Sequence, residues 1–309
     1  MSISRKKIVK CIFCSGKSNL FLIKKDRVSQ NPYKIFVCEE CKSGFVFQIP
    51  TEKKLQEFYQ NAHTPRELQL KKMLPKNALN ILLEAERKFP NTTLDAKRIC
   101  ETVKHFIPPA LSKKVLDVGA GYGFISRELI GLGYNVQSLE VGETSRKIFY
   151  ELNKFYPDSL FFSEGFSKLN KKKYDLVVLS QVLEHLAFKK NPIKDLNFIL
   201  KKNGVLALAF PNFRSLLSLI LRKRDFFIIS PEHLNYFSKK AVIAMLEKQS
   251  FRILKVETVS RFNPESFNKF ELLKTILTFL LKVFLLTSDL IGRGMFLNIY
   301  AQKIIKKDK

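Results

Sequence analysis

The stretch that decides the fold is Val115-Leu116-Asp117-Val118-Gly119-Ala120-Gly121-Tyr122-Gly123. It begins as an apolar run that holds one acid and continues into three glycines at every second position. Glycine allows left-handed backbone turns and close approach of a ligand, and the first turn of a following helix offers N–H groups to an anionic ligand. The pattern predicts a buried strand, a tight glycine turn and a helix, with a small ligand bound at the turn.

The chain after residue 113 alternates between strand-like and helix-like segments. Strands are predicted at 114–118, 135–139, 159–162, 174–179, 204–210, 251–258 and 295–304, and helices are predicted to begin near 122, 143, 192 and 238. Such alternation is typical of an α/β fold in which helices connect neighbouring parallel strands through right-handed crossovers. We therefore expect an α/β domain over residues 111–309, with a helical insertion at about 264–292.

The spacing of the glycines narrows the class of ligand. The dinucleotide fingerprint G-x-G-x-x-G would need a glycine where Phe124 stands. The G-x-G-x-G form found here, with Asp117 two residues ahead of it, resembles the first motif of class I S-adenosylmethionine (SAM) methyltransferases, and Glu140 stands at the strand end where that family carries an acid. The resemblance implies a Rossmann-like seven-stranded sheet whose last strand runs antiparallel between its neighbours, and it implies SAM as the cofactor.

The resemblance also assigns the cofactor contacts. It implies that the backbone of the glycine turn approaches the methionine part of SAM, that Asp117 helps to hold the methionine amino group, and that Glu140 accepts both ribose hydroxyls. The loop around Gly165 would touch the adenine, and Ser180 and Gln181 would lie beside the sulfonium. The complete predicted set of cofactor-binding residues is Asp117, Gly119, Ala120, Gly121, Gly123, Glu140, Gly165, Ser180 and Gln181.

Two later motifs carry the candidate catalytic residues, which are Glu184, His185 and His233. Residues 174–186, YDLVVLSQVLEHL, resemble the fourth-strand motif of the ubiquinone-O-methyltransferase-like small-molecule group, and residues 230–238, SPEHLNYFS, resemble a P-x-H-L-x-x-F-S signature of one large methyltransferase group. A histidine with a near-neutral pKa suits the activation of a hydroxyl acceptor. Both histidines are therefore candidate bases. For His185, packing and hydrogen bonding under the site is the more common role. His233 would face the substrate cleft, and its alternative is to anchor its loop to the sheet.

A catalytic metal is a third interpretation of the same residues. In some members of the family an E-x-x-E-H pattern binds a divalent cation. Here Gln181 replaces the first acid, which leaves Glu184 and His185, with His233 as a further nitrogen. Loss of a carboxylate weakens a site for a hard cation, so we favour the interpretations without a catalytic metal.

Residues 1–50 are predicted to form a separate zinc-ribbon-like β module. They contain two C-x-x-C pairs, Cys11 with Cys14 and Cys38 with Cys41. Residues 1–10 are basic and lack the apolar stretch of a secretory signal, so we expect metal binding rather than disulfides. Four thiolates on two short knuckles suit a tetrahedral structural zinc, and a piece this small depends on the metal for its stability. The alternative is a knuckle pair that has lost its metal, or a redox-active pair.

Residues 51–110 are predicted to form a helical cap that joins this module to the α/β domain. Thr51 can cap a first helix, Asn91 or Thr92 can start a later one, and Pro108-Pro109 ends the segment. We expect the cap to pack over the cofactor end of the α/β domain.

The net charge indicates which classes of partner the protein could bind. The 309 residues include 54 basic and 28 acidic side chains, a net charge of +26. Such an excess suits nucleic acid, a membrane surface or a phosphorylated substrate, and a lysine-rich solvated surface is the alternative. The stretch Leu272–Ile291 is apolar but interrupted by charges, which favours an interfacial helix, a buried cap or a dimer face over a spanning helix.

The motifs together predict a cytoplasmic SAM-dependent methyltransferase. The acceptor that we expect is a small molecule, with O-methylation of a saccharide, a lipid-linked glycan or a related metabolite as the main hypothesis, and peripheral contact with the inner face of a membrane through residues 270–291. One alternative is an RNA methyltransferase that grips RNA with the zinc module and the basic surface. Another is a SAM-binding protein without catalytic activity.

Overall fold

The computed structural model describes residues 9–26, 30–60, 64–161, 169, 173–188, 191–261 and 271–304. Its strands are β1 (Val9–Lys10), β2 (Lys17–Lys25), β3 (Pro32–Cys38), β4 (Gly44–Phe47), β5 (Lys114–Val118), β6 (Asn135–Leu139), β7 (Tyr174–Ser180), β8 (Leu200–Pro211), β9 (Asn235–Tyr236), β10 (Phe251–Val259) and β11 (Phe296–Lys303). Its helices are α1 (Glu52–Gln60), α2 (Pro65–Lys71), α3 (Pro75–Lys88), α4 (Asn91–Phe106), α5 (Phe124–Gly131), α6 (Glu143–Asn153), α7 (Pro192–Ile199), α8 (Leu216–Leu221), α9 (Lys239–Lys248) and α10 (Glu271–Leu290).

The large sheet has the order β10-β11-β8-β7-β5-β6. Strands β6, β5, β7 and β8 are parallel, and β11 runs antiparallel between β8 and β10. The predicted α/β class and the predicted antiparallel last strand are therefore confirmed. Because β10 runs in the same direction as β8, both of these strands end at the same edge of the sheet as the glycine turn.

The number of strands differs from the prediction. The described residues give this sheet six strands instead of seven, and the strand predicted at 159–162 is represented by a single bridge between Asp158 and Leu139. The N–H of Leu160 donates to the carbonyl of Asp158 at 3.1 Å, so the chain turns immediately after the bridge. Pro157 before it has no N–H to add to the ladder. Residue 162 lies outside the described residues.

Both faces of the sheet are covered, as in a three-layer α/β domain. Leu116 and Val177 face α7 and α9, whereas their chain neighbours Val115 and Leu176 face α4 and α5. This alternation follows from the strand period of two residues. Strands that are buried on both faces read as continuous apolar runs, which is why the sequence around the glycine turn predicted them well.

The N-terminal strands form a second sheet, of order β1-β2-β3-β4-β9. The sequence predicted a separate module that ends at residue 50, but the fifth strand of its sheet comes from residues 235–236, far along the chain. Gly44 pairs with Tyr236 and Phe45 with Asn235. The module is thereby hydrogen-bonded to the segment that carries His233.

The region between the two sheets is helical, as predicted. Helix α1 begins directly after Thr51, and α4 begins at Asn91 and ends before Pro108-Pro109. Helices α2 and α3 pack through Leu70, Leu79 and Leu82 on Ile148 and Leu152 of α6. Helix α10 lies within the predicted insertion, whose first residues, 264–270, fall outside the described residues. Among the described residues no helix is both long and apolar enough to cross a membrane.

Candidate functional site

The three glycines of the turn have left-handed backbones, with φ of 64° at Gly119, 55° at Gly121 and 89° at Gly123. They serve different purposes. A Cβ on Gly121 would meet no atom within 4 Å, whereas one on Gly123 would collide with Phe149 and Asn153 of α6. Gly121 therefore leaves open space for a ligand, and Gly123 allows the turn to pack against α6.

Glu140 lies at the end of β6 beside the turn. Its Oε2 accepts a hydrogen bond from the N–H of Gly121 at 2.8 Å, and its Oε1 accepts one from the N–H of Gly142 at 2.7 Å. Burial raises the pKa of Glu140, while these two N–H donors favour the charged form and lower it. The carboxylate is fixed in place, and its remaining lone pairs can accept bonds from a ligand.

Asp117 is fully buried, and its contacts run behind the turn. Its Oδ2 accepts a hydrogen bond from the Oγ of Ser126 at 2.6 Å, and that hydroxyl lies 2.8 Å from the Oγ of Ser138. Burial raises the pKa of Asp117 to about 6. In this structure the side chain ties β5 to α5 and β6, and it is not among the residues that line the cavity described next.

A cavity of about 770 Å³ opens in front of the glycine turn. This volume suits a drug-sized or cofactor-sized ligand. Five of the predicted cofactor residues line it, namely Gly119, Gly121, Glu140, Ser180 and Gln181. Asp117, Ala120 and Gly123 are not among the residues that line it, and Gly165 falls outside the described residues. Helix α1 of the cap supplies Leu55, Gln56 and Tyr59 to the opposite wall.

Gln181 stands at the centre of this wall in an unusual conformation. Its φ of 57° is left-handed, and its N–H donates to the carbonyl of Ala209 at 2.7 Å. Its side-chain Nε2 is buried and has no hydrogen-bond partner among the described residues. A buried donor without a partner is costly, and strained backbone collects at binding sites, so the amide indicates a polar ligand atom in the cavity.

The three predicted catalytic residues lie together. Glu184, His185 and His233 each offer a ligand atom within 4.8 Å of the others, and the two imidazole rings have their centres 5.0 Å apart. The Nδ1 of His185 is 2.7 Å from the carbonyl oxygen of Glu232, and the Nδ1 of His233 is 2.8 Å from that of Phe227. Because a carbonyl only accepts, each Nδ1 carries the proton, and the lone pair of each ring is on Nε2.

The members of this cluster differ in their access to the cavity. His185 lines the cavity, whereas Glu184 and His233 are buried behind it. The sequence predicted that His233 faces the substrate, but the structure places it in the second layer. Burial lowers the pKa of His233 to about 4 and raises that of Glu184 to about 8. Neither carboxylate oxygen of Glu184 has a hydrogen-bond partner among the described residues.

Two further residues of this site were missed by the sequence analysis. The hydroxyl of Tyr59 donates to the carbonyl of Glu232 at 2.8 Å and lies 3.3 Å from the Nδ1 of His185. Both Tyr59 and Glu232 line the cavity. Tyr59 belongs to the cap and is far from His185 in sequence, so no local motif could have indicated the contact. Glu232 precedes His233 in the quoted signature, but it contributes through its carbonyl.

The four cysteines of the N-terminal module converge as predicted. The Sγ of Cys11 is 3.7 Å from that of Cys41, and the Sγ of Cys14 is 3.5 Å from that of Cys38. Four thiolates around a tetrahedral zinc, each with a Zn–S bond of about 2.3 Å, would stand about 3.8 Å apart. The N–H groups of Phe13 and Glu40 donate to Cys11 and Cys38, both at 3.4 Å. The geometry of the thiol groups fits a zinc ion.

Comparison with known proteins agrees with this architecture. A family model described as a methyltransferase domain matches residues 92–256, more than half of the chain. The chain is also 30% identical to two ubiquinone biosynthesis O-methyltransferases. One, from Thiobacillus denitrificans, aligns over 82 residues that cover 25% of this chain and 35% of the relative. The other, from Pelagibacter ubique, aligns over 107 residues that cover 34% and 44%. The chain thus spans less than half the length of these curated relatives.

Solved structures that align with this chain include a SAM-dependent methyltransferase from Archaeoglobus fulgidus. It is 22% identical with a TM-score of 0.49, and the match covers 72% of this chain and 99% of that one. A SAM-dependent methyltransferase from Mesorhizobium loti is 15% identical with a TM-score of 0.43, and covers 62% and 90%. On the match of the family model, the chain belongs to the methyltransferase-domain family.

Proposed function

We propose that this protein transfers a methyl group from SAM to a hydroxyl oxygen of a small-molecule acceptor. A saccharide, a lipid-linked glycan or a related metabolite is the acceptor class that we favour. The observation that carries the proposal is the position of His185, whose ring lines the cavity with its Nδ1 held by the carbonyl of Glu232. The curated relatives with matching segments are O-methyltransferases that are named for ubiquinone biosynthesis, which supports oxygen as the acceptor atom.

The cofactor end of the cavity suits SAM. When bound, SAM supplies a methyl group that its sulfonium already activates toward a nucleophile. Gly121 would leave room for the methionine part, Glu140 would accept the ribose hydroxyls, and the side-chain amide of Gln181 would donate to a polar atom nearby. The remaining work of the protein is to align donor and acceptor and to exclude water.

The acceptor end would then lie between Tyr59, His185 and Glu232. The tautomer fixed by the carbonyl of Glu232 directs the lone pair of His185 to Nε2, so this nitrogen can take the proton of an acceptor hydroxyl. We propose Glu184 and His233 as residues that support His185 from behind. A divalent cation bound by all three is the alternative, because their atoms lie within 4.8 Å of one another.

The distribution of charge argues against RNA as the acceptor. Among the described residues that line the cavity there are five acids, Glu52, Glu67, Glu140, Asp195 and Glu232, and one arginine, Arg66. This lining suits a cationic cofactor and a neutral acceptor better than it suits a polyanion. The basic residues that give the chain its high net charge therefore lie mostly outside the cavity.

The three parts of the chain have separate roles in this proposal. Residues 1–50 form a module that zinc stabilises, residues 51–110 form a cap that closes over the cavity, and residues 111–309 carry the chemistry, with the insertion at about 264–292 outside the cofactor site. For the zinc, the four thiol groups and their spacing are the support.

A methyl-transfer assay tests the proposal. Radiolabelled SAM is offered to the full-length protein with a panel of neutral glycans, isoprenoid phenols and, separately, total RNA. We expect label to enter a neutral hydroxyl compound, and we expect the His185→Gln variant to lose at least about 100-fold in kcat, with the His105→Gln variant as a control at an exposed histidine of α4. Transfer to RNA alone, or full activity of His185→Gln, would contradict the proposal. Loss of activity on adding EDTA, with the zinc content unchanged and the activity restored by Mg²⁺, would identify a cation at Glu184, His185 and His233 as the activating group.

A further inference from the structure

Helix α10 and the residue that follows it carry an apolar stripe that the described residues leave exposed. The stripe consists of six residues, each between 45% and 87% exposed: Phe279, Leu280, Val283, Leu286, Leu290 and Ile291. Phe279, Val283, Leu286 and Leu290 follow the spacing that places side chains on one line of a helix. The opposite face is occupied, because Leu281, Phe284 and Leu285 pack with Met295 and Phe296.

A neighbouring segment packs against the buried face of α10. Leu217 of α8 packs in the same cluster as α10, and α8 leads into a basic turn, Arg222–Arg224. Exposed apolar side chains lie on both sides of this turn, with Ile220 62% exposed before it and Phe226 47% exposed after it. Within the stripe itself the charged side chain is Lys282, which is exposed.

Two acids, one in α10 and one directly after the basic turn, are turned toward the protein. Both carboxylate oxygens of Asp289 bind Ser260, through its N–H at 2.9 Å and its hydroxyl at 2.8 Å. Asp225 is buried and accepts from the N–H of Phe227 at 2.9 Å. The surface therefore combines an apolar stripe with a basic border, the arrangement found in helices that lie in the interface of an anionic membrane.

We propose that this surface docks on the anionic face of a phospholipid bilayer. A second copy of the chain would be the other natural occupant of an apolar helix stripe. In a two-fold dimer, however, the same patch lies on both sides of the interface, so Lys282 and the basic turn would meet a surface whose acids Asp225 and Asp289 are turned inward, whereas anionic head groups complement them. Exposed apolar side chains would enter the head-group region, and the basic residues would contact lipid phosphates.

The position of the stripe gives this docking a direction. Helix α10 connects β10 to β11 at the edge of the sheet where the parallel strands end, which is also the edge that holds the glycine turn. Docking through α10 would bring the cavity edge near the bilayer. A lipid-linked acceptor could then reach the cavity; this last step rests on the proposed function, whereas the docking itself does not.

Co-sedimentation of the full-length protein with vesicles tests the docking without any methyl transfer. We expect binding to vesicles that contain phosphatidylglycerol, weaker binding to pure phosphatidylcholine, and weakening by salt. The Leu286→Glu variant should bind at least about tenfold more weakly. The matched control is Leu111→Glu, at a 78% exposed leucine that precedes β5 at the opposite edge of the sheet.

A second pair of variants isolates the basic border. We expect Lys223→Ala/Arg224→Ala to lower the affinity about fivefold for each charge removed, and Arg87→Ala/Lys88→Ala, an exposed pair on α3, to leave it unchanged. The proposal is overturned if anionic vesicles do not bind the protein, or if Leu286→Glu binds them as well as the parent. It is also overturned if the protein does not bind vesicles but forms a dimer, and Leu286→Glu dissociates that dimer.

Discussion

Ser43 and Ser238 hold each other by two hydrogen bonds across 195 positions of the chain. The Oγ of Ser43 accepts from the N–H of Ser238 at 2.9 Å and donates to its Oγ at 3.1 Å. The hydroxyl of Ser238 in turn donates to the carbonyl of Cys41 at 2.6 Å and caps α9 at the N–H of Ala241. A cysteine of the N-terminal module is thus joined by one hydrogen bond to the segment that carries His233.

This relationship predicts that the cysteine cluster stabilises the segment around His233. In the Cys38→Ser variant we expect zinc content to fall from one ion per chain to almost none, Tm to fall, and amide exchange to accelerate in residues 231–238, because β9 loses an ordered partner in β4. Elemental analysis and hydrogen exchange measure both effects. Cys100→Ser is the control, since Cys100 is buried against α5 and far from the cluster in sequence.

Zinc bound in full by Cys38→Ser, or unchanged protection of residues 231–238, would contradict the coupling. Equal loss of zinc in Cys100→Ser would also contradict it, because the loss would then follow from general unfolding.

The cap at Ser238 predicts a measurable cost of its removal. The Ser238→Ala variant loses the helix cap and the contact with Ser43, and we expect the free energy of unfolding to fall by about 1–2 kcal/mol. Urea denaturation measures it. Ser215→Ala is the matched variant, since Ser215 caps α8 at 3.0 Å without a partner in the N-terminal module. If both variants lose the same stability and the same protection in β4, the contact between the two sheets contributes nothing.

The buried carboxyl of Glu184 predicts a dependence of stability on pH. Its pKa is about 8 in the folded protein against an ordinary value of 4.5, so the folded state keeps a proton that the unfolded chain releases. This contribution to stability is therefore full below pH 4.5 and is lost as pH rises toward 8, by at most about 5 kcal/mol. We expect Glu184→Gln to flatten the stability profile over this range, whereas Glu247→Gln, an exposed residue of α9, should leave it unchanged.

Chemical denaturation at a series of pH values between 4.5 and 8 gives the profile. A slope that Glu184→Gln does not change would show that the carboxyl is already charged and paired in the folded protein. If the pH dependence of the stability disappears when a divalent cation is added, the cation is the partner of the charged Glu184 carboxylate.

The contact of Tyr59 predicts a role in positioning His185. In the Tyr59→Phe variant we expect kcat to fall about threefold to tenfold, because the loss of one hydrogen bond weakens the alignment of the ring by about 1 kcal/mol. The pH profile of kcat should shift, while the affinity for S-adenosylhomocysteine stays the same. Tyr150→Phe, at an exposed tyrosine stacked on Tyr156, is the control. An unchanged kcat and pH profile in Tyr59→Phe would remove Tyr59 from the site.

The sequence predicted those features that local physics determines. The spacing of Gly119, Gly121 and Gly123 indicated the left-handed turn, and the buried strands on either side followed from their apolar runs. The four cysteines could be grouped because thiolates at knuckle spacing have few other uses. The acid at Glu140 was identified through the resemblance to the methyltransferase family, which carries an acid at that strand end.

The features that were missed depend on contacts between distant parts of the chain. Tyr59 meets His185 only because the cap folds over the sheet, and β9 joins the N-terminal module only because the segment after His233 returns to β4. The strand at 159–162 was predicted from its apolar residues, but the turn after Asp158 ends the pairing. His233 is buried because His185, and not His233, lines the cavity, and the periodicity of the sequence does not predict which of the two rings does so.

Calorimetric titration with S-adenosylhomocysteine tests the central claim most directly, because it needs no knowledge of the acceptor. The Glu140→Ala variant removes the proposed acceptor of the ribose hydroxyls, and Glu143→Ala, an exposed acid of α6 that pairs with Lys147, is its matched control. The account predicts one site per chain, unchanged affinity in Glu143→Ala, and affinity at least about tenfold weaker in Glu140→Ala. An absence of binding, or equal affinity in both variants, would contradict it.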